Sequence, residues 1–229
     1  KIMKCAIMQP TFLPWSGYFN LMASVDVFVF LDDAQFQKGS WHNRNRIPLN
    51  GKPHWLTVPV KHNTLSQSIL QTEINMQSLW REKMVRQLQQ VYARHPFSSE
   101  LMAFTDVIND TSYISLAELN IALIQMVSNR IDINCQMLRS SELKIKGVRT
   151  ERLLAMLNAI SATHYLSPQG AESYLTADGF SQQSEVSLAY QTFEPQYYPQ
   201  KKSTDFIPKL SILDVVMNMG WHGAKTYIK

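Results

Sequence analysis

The sequence reads KCAIMQP over Lys4–Pro10 and VDVFVFLDD over Val25–Asp33. Each stretch is a short, nearly continuous apolar run, closed in the first case by a proline and in the second by two aspartates. Runs of this length are typical of strands buried on both faces of a parallel sheet. The residues between them, 17–24, have room for a short crossover helix. The sequence therefore predicts a β-α-β opening.

The middle of the chain is predicted to be largely helical. The pair Asn50-Gly51 is a strong turn signal and predicts a hairpin over 47–60. Apolar residues at helical spacing then predict three helices, over 75–93, 97–109 and 115–129.

Strand and helix patterns alternate again after this middle part. We expect strands at 131–138, 164–166 and 186–190, a helix at 150–162, and a last helix from about Pro208 to Met219 that stops at Gly220. The predicted fold class is α/β, with a Rossmann-like open parallel sheet and a mostly helical middle and C-terminal part. We expect one domain over 1–229 with a helical insertion at about 75–130.

Composition narrows the class of protein. With 45% hydrophobic and 17% charged residues, the 229-residue chain is far from disordered sequences. A net charge of +4 suits an anionic small molecule as well as nucleic acid. Cys5 and Cys135 lie in apolar runs without a C-x-x-C partner, which predicts buried thiols in a reducing compartment. Without a long apolar segment or a signal core, we expect a cytoplasmic protein with no membrane partner.

Polar residues end the first two predicted strands. In open α/β sheets, ligands bind outside the carboxyl ends of the strands, which draws attention to Gln9, Pro10, Asp32 and Asp33. The paired aspartates could hold a metal, orient a hydroxyl or amine, or act as a general base. The structural alternative is that one of them caps or turns the following loop.

The most unusual stretch follows Gln35 and Lys38 and reads WHNRNR over Trp41–Arg46. If it is extended, Arg44 and Arg46 lie on one face, with Asn43 and Asn45 on the other. Two guanidinium groups beside an ammonium make a clamp for phosphate or carboxylate. Among the six histidines, only His42 lies within this candidate segment, and we therefore include it among the functional candidates. The alternative interpretation is a solvated basic edge strand.

Two loops are further candidates for ligand binding. Gly17 and Tyr18 lie where the first crossover helix begins, and helix-start amides favour anions. HIGH-signature nucleotidyltransferases place a His-x-Gly-His motif in such a loop, but Trp15-Ser16-Gly17-Tyr18 keeps only the glycine, so histidine contacts cannot be carried over. Gln169 and Gly170 belong to a loop that could close over a ligand or be a plain turn.

Several chemistries find no support in the sequence. No two histidines have metal-ligand spacing on a helix, so no metal site is predicted, and Walker, G-x-G-x-x-G and G-x-S-x-G motifs are absent. Ser211 and Asp214 fit the S-x-x-D capping pattern at the start of the last helix.

Taken together, several segments resemble the WbqC-like family. They are Ala6–Pro10, Gly17–Phe19, Asp32-Asp33, Gln35, Lys38, Asn43–Ile47, Gly51–Pro53, Leu210–Val215 and Gly220. The resemblance implies a bacterial protein associated with surface polysaccharides such as O-antigen, and transfer of an aminoacyl group, glycine for example, to an amino sugar.

The leading hypothesis is an acyl or aminoacyl transferase that forms an amide on an amino sugar or sugar nucleotide, with ATP and magnesium as candidate cofactors. Its catalytic candidates are Asp32, Asp33 and His42. Its binding candidates are Gln9, Pro10, Gly17, Tyr18, Gln35, Lys38, Trp41, Asn43, Arg44, Asn45, Arg46, Gln169 and Gly170. The alternative is a non-catalytic module that binds a nucleotide or glycan precursor. A nucleic-acid partner is the least favoured expectation, and the oligomeric state is left open.

Overall fold

A computed structural model describes all residues, 1–229. Seven strands and nine helices make up the chain. The strands are β1 (Lys4–Met8), β2 (Val27–Phe30), β3 (Arg44–Leu49), β4 (Lys52–Thr57), β5 (Gln136–Arg139), β6 (His164–Ser167) and β7 (Ser187–Tyr190). The helices are α1 (Ser16–Ala23), α2 (Trp80–Tyr92), α3 (Leu101–Ile108), α4 (Leu116–Arg130), α5 (Ser140–Leu143), α6 (Arg149–Ala159), α7 (Glu172–Ala177), α8 (Phe180–Gln183) and α9 (Ile212–Tyr227).

Five strands form one parallel sheet in the order β5-β2-β1-β6-β7. The predicted opening is confirmed: β1 pairs with β2 in parallel, with Cys5 opposite Val27 and Met8 opposite Phe30. Every residue of β2 is buried, as its unbroken apolar run predicts. The predicted Rossmann-like α/β class is therefore confirmed. The strand order reverses direction at β1 and β6, which creates a crevice between their carboxyl ends.

Two apolar clusters cover the two faces of the sheet. The larger contains 40 buried residues, from α1, α2, α3, α4 and α9 among other elements, and includes Phe28 of β2. The smaller contains 12 and joins α6, α7 and α8 to Val27 and Val29 of the same strand. Alternate side chains of β2 thus enter opposite clusters, as the two-residue period of a strand requires.

β3 and β4 form a separate antiparallel hairpin. The turn at Asn50-Gly51 is confirmed, and both residues have positive φ, 53° and 74°. The pairing begins earlier than predicted, with Arg44 opposite Thr57. Asn45 is buried whereas Arg44 and Arg46 are half-buried, so the predicted alternation of Arg and Asn is also confirmed.

Three predicted boundaries are wrong. The strand expected from Ile131 starts only at Gln136, because Ile131 and Ile133 bury themselves in the turn after α4, with Asp132 at φ 58° between them. α2 begins at Trp80 rather than at 75. The last helix begins at Ile212 rather than at about Pro208; its helical geometry is interrupted at Gly220 (φ 73°, ψ 179°), the predicted stop, and a second helical stretch continues to Tyr227.

At the start of α9, the serine of the predicted S-x-x-D capping pattern acts as a cap and the aspartate does not. The Ser211 hydroxyl accepts a hydrogen bond from the Leu213 amide at 3.2 Å. The Asp214 carboxylate does not reach back to the cap, because it accepts hydrogen bonds from the hydroxyls of Tyr92 (2.9 Å) and Tyr198 (2.7 Å). Burial raises the pKa of Asp214 to about 6, against the lowering effect of these hydrogen bonds. The motif therefore anchors α9 to α2 as well as starting it.

Neither cysteine forms a disulfide. Cys5 is buried in β1, as predicted, whereas Cys135 is only half-buried just before β5. None of the helices combines the length and apolar character needed to cross a bilayer.

Candidate functional site: a cleft at the switch point of the sheet

Two adjoining cavities lie at the crevice between β1 and β6. Their volumes are about 310 and 330 Å³, and they share Met8, Trp15, Tyr18 and Lys209. We call them together the switch-point cleft. One cavity is completed by Thr11, Pro14, Trp41, Asn45 and Arg46. The other is completed by Gly17, Leu21, Pro168, Gln169, Gln191, Phe193, Glu194 and Pro195. The location is the one expected for a ligand site in a doubly wound sheet.

Positive charge and indole rings meet in this cleft. The Arg46 guanidinium lies 5.3 Å from the ring of Trp41, and Nη2 donates weakly to the carbonyl of Lys209 at 3.5 Å. Nε of Arg46 is buried without a hydrogen-bond partner. The Lys209 ammonium lies 5.5 Å from the ring of Trp15. Glu194 is the one carboxylate among the lining residues.

The first turn of α1 forms the floor beneath Trp15. Gly17 is required there, since a Cβ atom at this position would lie 2.1 Å from the Trp15 ring. Gln191, at the end of β7, donates to the Gly17 carbonyl at 2.7 Å and to Oδ1 of Asn20 at 2.8 Å. The Tyr18 hydroxyl donates to the carbonyl of Gln9 at 2.9 Å. These hydrogen bonds tie the start of α1 to the residue after β1 and to the residue after β7.

Gln9 and His42 form a buried polar pair beside the cleft. Nδ1 of His42 accepts from the Gln37 amide at 3.2 Å, which leaves the ring proton on Nε2, 2.6 Å from Oε1 of Gln9. Burial lowers the pKa of His42 to about 4, so the ring is neutral at pH 7. His42 thus holds the Gln9 carboxamide through this hydrogen bond, and its predicted catalytic role stays a prediction.

The asparagines of the WHNRNR stretch bind the protein's own backbone. Nδ2 of Asn45 donates to the carbonyl of Phe12 at 3.1 Å, and its Oδ1 accepts from the Arg46 amide at 2.7 Å. Nδ2 of Asn43 donates to the carbonyl of Val58 at 3.0 Å. These contacts tie the loop after β1 to the hairpin, which presents Arg46 to the cleft.

Asn120 of α4 contributes in the same way and was missed by the sequence reasoning. Its fully buried amide donates to the carbonyls of Pro10 (3.1 Å) and His42 (2.8 Å). A lone polar residue on an apolar helix face was the available signal. The sequence reasoning also missed four lining residues, Trp15, Gln191, Glu194 and Lys209. They come together only because the segments after β7 and before α9 pack against the loop after β1.

The aspartates after β2 have protein partners. Asp32 is fully buried, and its carboxylate accepts from the amide (2.9 Å) and hydroxyl (2.6 Å) of Ser141 and from the hydroxyl of Ser140 (3.1 Å). Asp33 forms a salt bridge with Arg152 at 2.6 Å. Neither lines the switch-point cleft. Their catalytic role stays a prediction, and their contacts favour the structural alternative.

The other predicted binding residues lie outside the cleft. Gln35 is exposed and donates to the carbonyl of Leu65 at 2.6 Å, and Lys38 is exposed. The Arg44 guanidinium stacks 3.9 Å over Trp55 on the hairpin. Gly170 is exposed and its amide donates to Glu172 at 2.7 Å. Of the Ser167–Ala171 loop, Pro168 and Gln169 reach the cleft.

The described residues contain no group of three or more His, Cys, Asp or Glu side chains that could hold a metal ion.

The strand order and the cleft define the class: a doubly wound, Rossmann-like α/β protein with a ligand-sized cleft at the switch point. The model of the WbqC-like protein family matches residues 9–226, and the chain belongs to this family, as its sequence resemblance predicts. It is 31% identical over 221 residues to an uncharacterized protein of Mycobacterium tuberculosis, covering 95% of this chain and 94% of that relative. No solved structure matches the chain. Membership of the HIGH-signature superfamily is not shown.

Proposed function

We propose that the chain is a transferase that forms an amide on an amino sugar or sugar nucleotide used in surface-polysaccharide synthesis. The observation that carries the proposal is the switch-point cleft, where two cations and two indole rings line one space. The family membership supports it through the polysaccharide association that the resemblance implies.

The anionic part of the substrate would bind between Arg46 and Lys209. A guanidinium group can bind a phosphate with two parallel hydrogen bonds, and Arg46 lines the cavity with its Nη2 engaged only in a 3.5 Å contact with the protein. Gly17, in the first turn of α1, lines the same cleft. Unpaired amides at a helix start add favourable interactions with an anion.

The ring part of the substrate would stack on Trp15 and Trp41. Both indoles line the cavity that also contains Arg46. Aromatic side chains provide a large, rigid apolar surface with low conformational entropy cost, which suits a sugar or base ring. Cavities of about 310 and 330 Å³ lie at the lower end of the range for small-molecule sites.

For the reaction, the substrate amine would attack the carbonyl carbon of an activated acyl group, and the leaving group would depart with the bond electrons. We assign acceptance of the amine proton to Glu194, the carboxylate that lines the cleft, in place of Asp32 or Asp33. The Gln9 carboxamide, held by His42, would orient polar groups of the ligand.

ATP is the candidate activator of the acid, because the cations that suit a sugar nucleotide suit its phosphates equally. The lining residues include few ligands for magnesium, since Glu194 is the single carboxylate. Any magnesium ion would therefore be held largely by the phosphates of the nucleotide and by water.

The test combines binding with turnover. Calorimetry with a panel of UDP- and dTDP-amino sugars should show binding that Arg46→Ala and Lys209→Ala each weaken by roughly tenfold or more, because each removes a charged contact. Lys83→Ala, on the exposed side of α2, is the matched control and should bind normally. Acid-dependent ATP–pyrophosphate exchange tests activation, and Glu194→Gln should slow amide formation while leaving sugar-nucleotide binding intact.

The second candidate is a non-catalytic module that binds the same ligand class. It is favoured by one observation: His42 is neutral and both Asp32 and Asp33 are occupied by protein partners. Tight binding with no amide product from any acid would select the module. Normal binding by both Arg46→Ala and Lys209→Ala would contradict the cleft under either function.

A further inference from the structure

A second cavity, of about 310 Å³, lies between the turn of the hairpin, α2 and the segment 201–203. We call it the hairpin cavity. It shares no lining residue with the switch-point cleft. Nothing in the proposed function accounts for it.

Two buried polar side chains line this cavity without partners. His95 is 5% exposed, and neither of its ring nitrogens has a hydrogen-bond partner, although its ring packs edge-on against Tyr92 at 4.7 Å. The hydroxyl of Ser203, on a different segment, is likewise buried and unpartnered. An unsatisfied buried polar group costs about 1–3 kcal/mol, so two such side chains on residues that line one cavity point to a polar partner that the chain itself does not supply.

The charge around the hairpin cavity is positive. Lys201 and Lys202 line it, and no aspartate or glutamate does. The Lys201 ammonium donates to the carbonyl of Arg94, which holds this charge in place. Burial, together with the positive charges of Lys202 and Lys201, lowers the pKa of His95 to about 4. The imidazole is therefore neutral at pH 7, with one nitrogen that donates and one that accepts.

A hydrogen phosphate group matches this set of partners. Its oxygens accept hydrogen bonds from an ammonium, a hydroxyl and the N–H of one ring nitrogen. Where the tautomer turns the accepting nitrogen of His95 to the cavity, the P–OH of a hydrogen phosphate can donate to it, which a carboxylate or sulfate cannot do.

We propose that the hairpin cavity is a phosphate-binding site in which Lys202, His95 and Ser203 hold the phosphate group. The group belongs either to free phosphate or to a small phosphorylated metabolite. The proposal stands independently of the function assigned to the switch-point cleft.

Calorimetric titration of the full chain with inorganic phosphate tests it. We expect saturable one-to-one binding that Ser203→Ala and Lys202→Ala each weaken by roughly tenfold, as expected for loss of a hydrogen bond or charge on an anion. Lys83→Ala, on the surface of α2, should leave phosphate binding unchanged. Ser203→Ala removes one hydroxyl from an irregular segment, so it should fold normally.

The ring resonances of the six histidines supply a second readout. Phosphate should move the His95 signal, identified by its absence in His95→Gln, and Ser203→Ala should reduce that shift at equal phosphate. Tighter binding of glucose 1-phosphate than of phosphate would identify a phosphorylated metabolite as the source, and equal affinity would identify free phosphate. Absence of saturable binding, or binding that only Arg46→Ala weakens, would overturn the proposal.

Discussion

At the scale of single residues, close packing and hydrogen bonds fix the positions of side chains in and around the cleft. The Trp15 ring lies over the first turn of α1 because position 17 has no side chain. The Gln9 carboxamide is oriented because the His42 ring is buried and neutral. Trp15 lines the cleft and the Gln9–His42 pair lies outside its lining, and both features can be tested by small changes.

Gly17→Ala should displace the Trp15 ring, since the added Cβ atom would lie 2.1 Å from it. We expect a loss of stability of about 1–3 kcal/mol, the usual cost of overpacking, together with weaker binding in the switch-point cleft. Urea unfolding and calorimetry measure the two effects. In a Trp15→Ala background the same change should cost much less. Equal costs in both backgrounds would show that the two positions do not interact.

His42 should make stability depend on pH below neutrality. Its folded pKa of about 4 lies below the ordinary value of 6.5, so the unfolded chain takes up the proton first as pH falls. The unfolding free energy should therefore fall from pH 6.5 to about 4. Thermal melts across this range should show a shallower fall in His42→Gln. His95 has a pKa lowered in the same direction and Asp214 one raised in the opposite direction, so a residual slope is expected. An identical slope in variant and wild type would contradict the assignment.

At the scale of elements, buried polar side chains join pieces that are distant in sequence. Asp32 connects the end of β2 to the start of α5 through Ser140 and Ser141. Asp214 connects α9 to α2 through Tyr92. In each case, hydrogen-bond donors of the protein take the place of water around the carboxylate. This is why the carboxylate can be buried.

Asp32→Ala separates the structural role of this residue from the predicted catalytic one. We expect a loss of about 1–3 kcal/mol in unfolding free energy, because the donors of α5 lose their acceptor. Ligand affinity of the folded protein in the cleft should be unchanged. Asp106→Ala, at an exposed site on α3, is the control and should change stability by less than about 0.5 kcal/mol. A stable Asp32→Ala variant that binds but does not turn over would restore the catalytic interpretation.

At the scale of the whole molecule, the cleft is assembled from parts that span the chain. The loop after β1, the hairpin, the end of β7 and the segment before α9 all contribute walls. Two backbone hydrogen bonds join the start of α9 to these walls. The Arg46 carbonyl accepts from the Ser211 amide at 2.9 Å, and the Ile212 amide donates to the carbonyl of Pro14 at 2.9 Å. The start of α9 is therefore part of the site.

Asn120→Ala should loosen this assembly from the side of α4. It removes the donor from two carbonyls, those of Pro10 and His42, and we expect destabilisation of about 2–4 kcal/mol with reduced affinity in the cleft. Denaturant unfolding and calorimetry with the same sugar nucleotides provide the measurements. Asn158→Ala, exposed on α6, is the control. Unchanged affinity in Asn120→Ala would mean that α4 supports the fold without shaping the cleft.

By itself the sequence determined the parallel core and the hairpin turn, and it pointed to some residues that line the cleft, among them Trp41 and Arg46. Unbroken apolar runs such as Val27–Phe30 and the Asn50-Gly51 turn are local signals, since burial on both faces and positive φ restrict residue choice wherever they occur. Boundaries were less certain, as Ile131 and Ile133 show, because an apolar residue can bury itself in a turn as well as in a strand.

Only the tertiary structure decided which polar groups face a ligand. Arg44 and Arg46 are equivalent in the sequence pattern, yet Arg46 reaches the cleft while Arg44 stacks on Trp55. Asp32 ends its strand as an active-site residue would, yet α5 supplies its partners. Lys209 faces Arg46 across a separation of 163 residues. Whether a polar side chain has partners within the protein depends on which distant segments pack against it. A local sequence pattern does not contain that information.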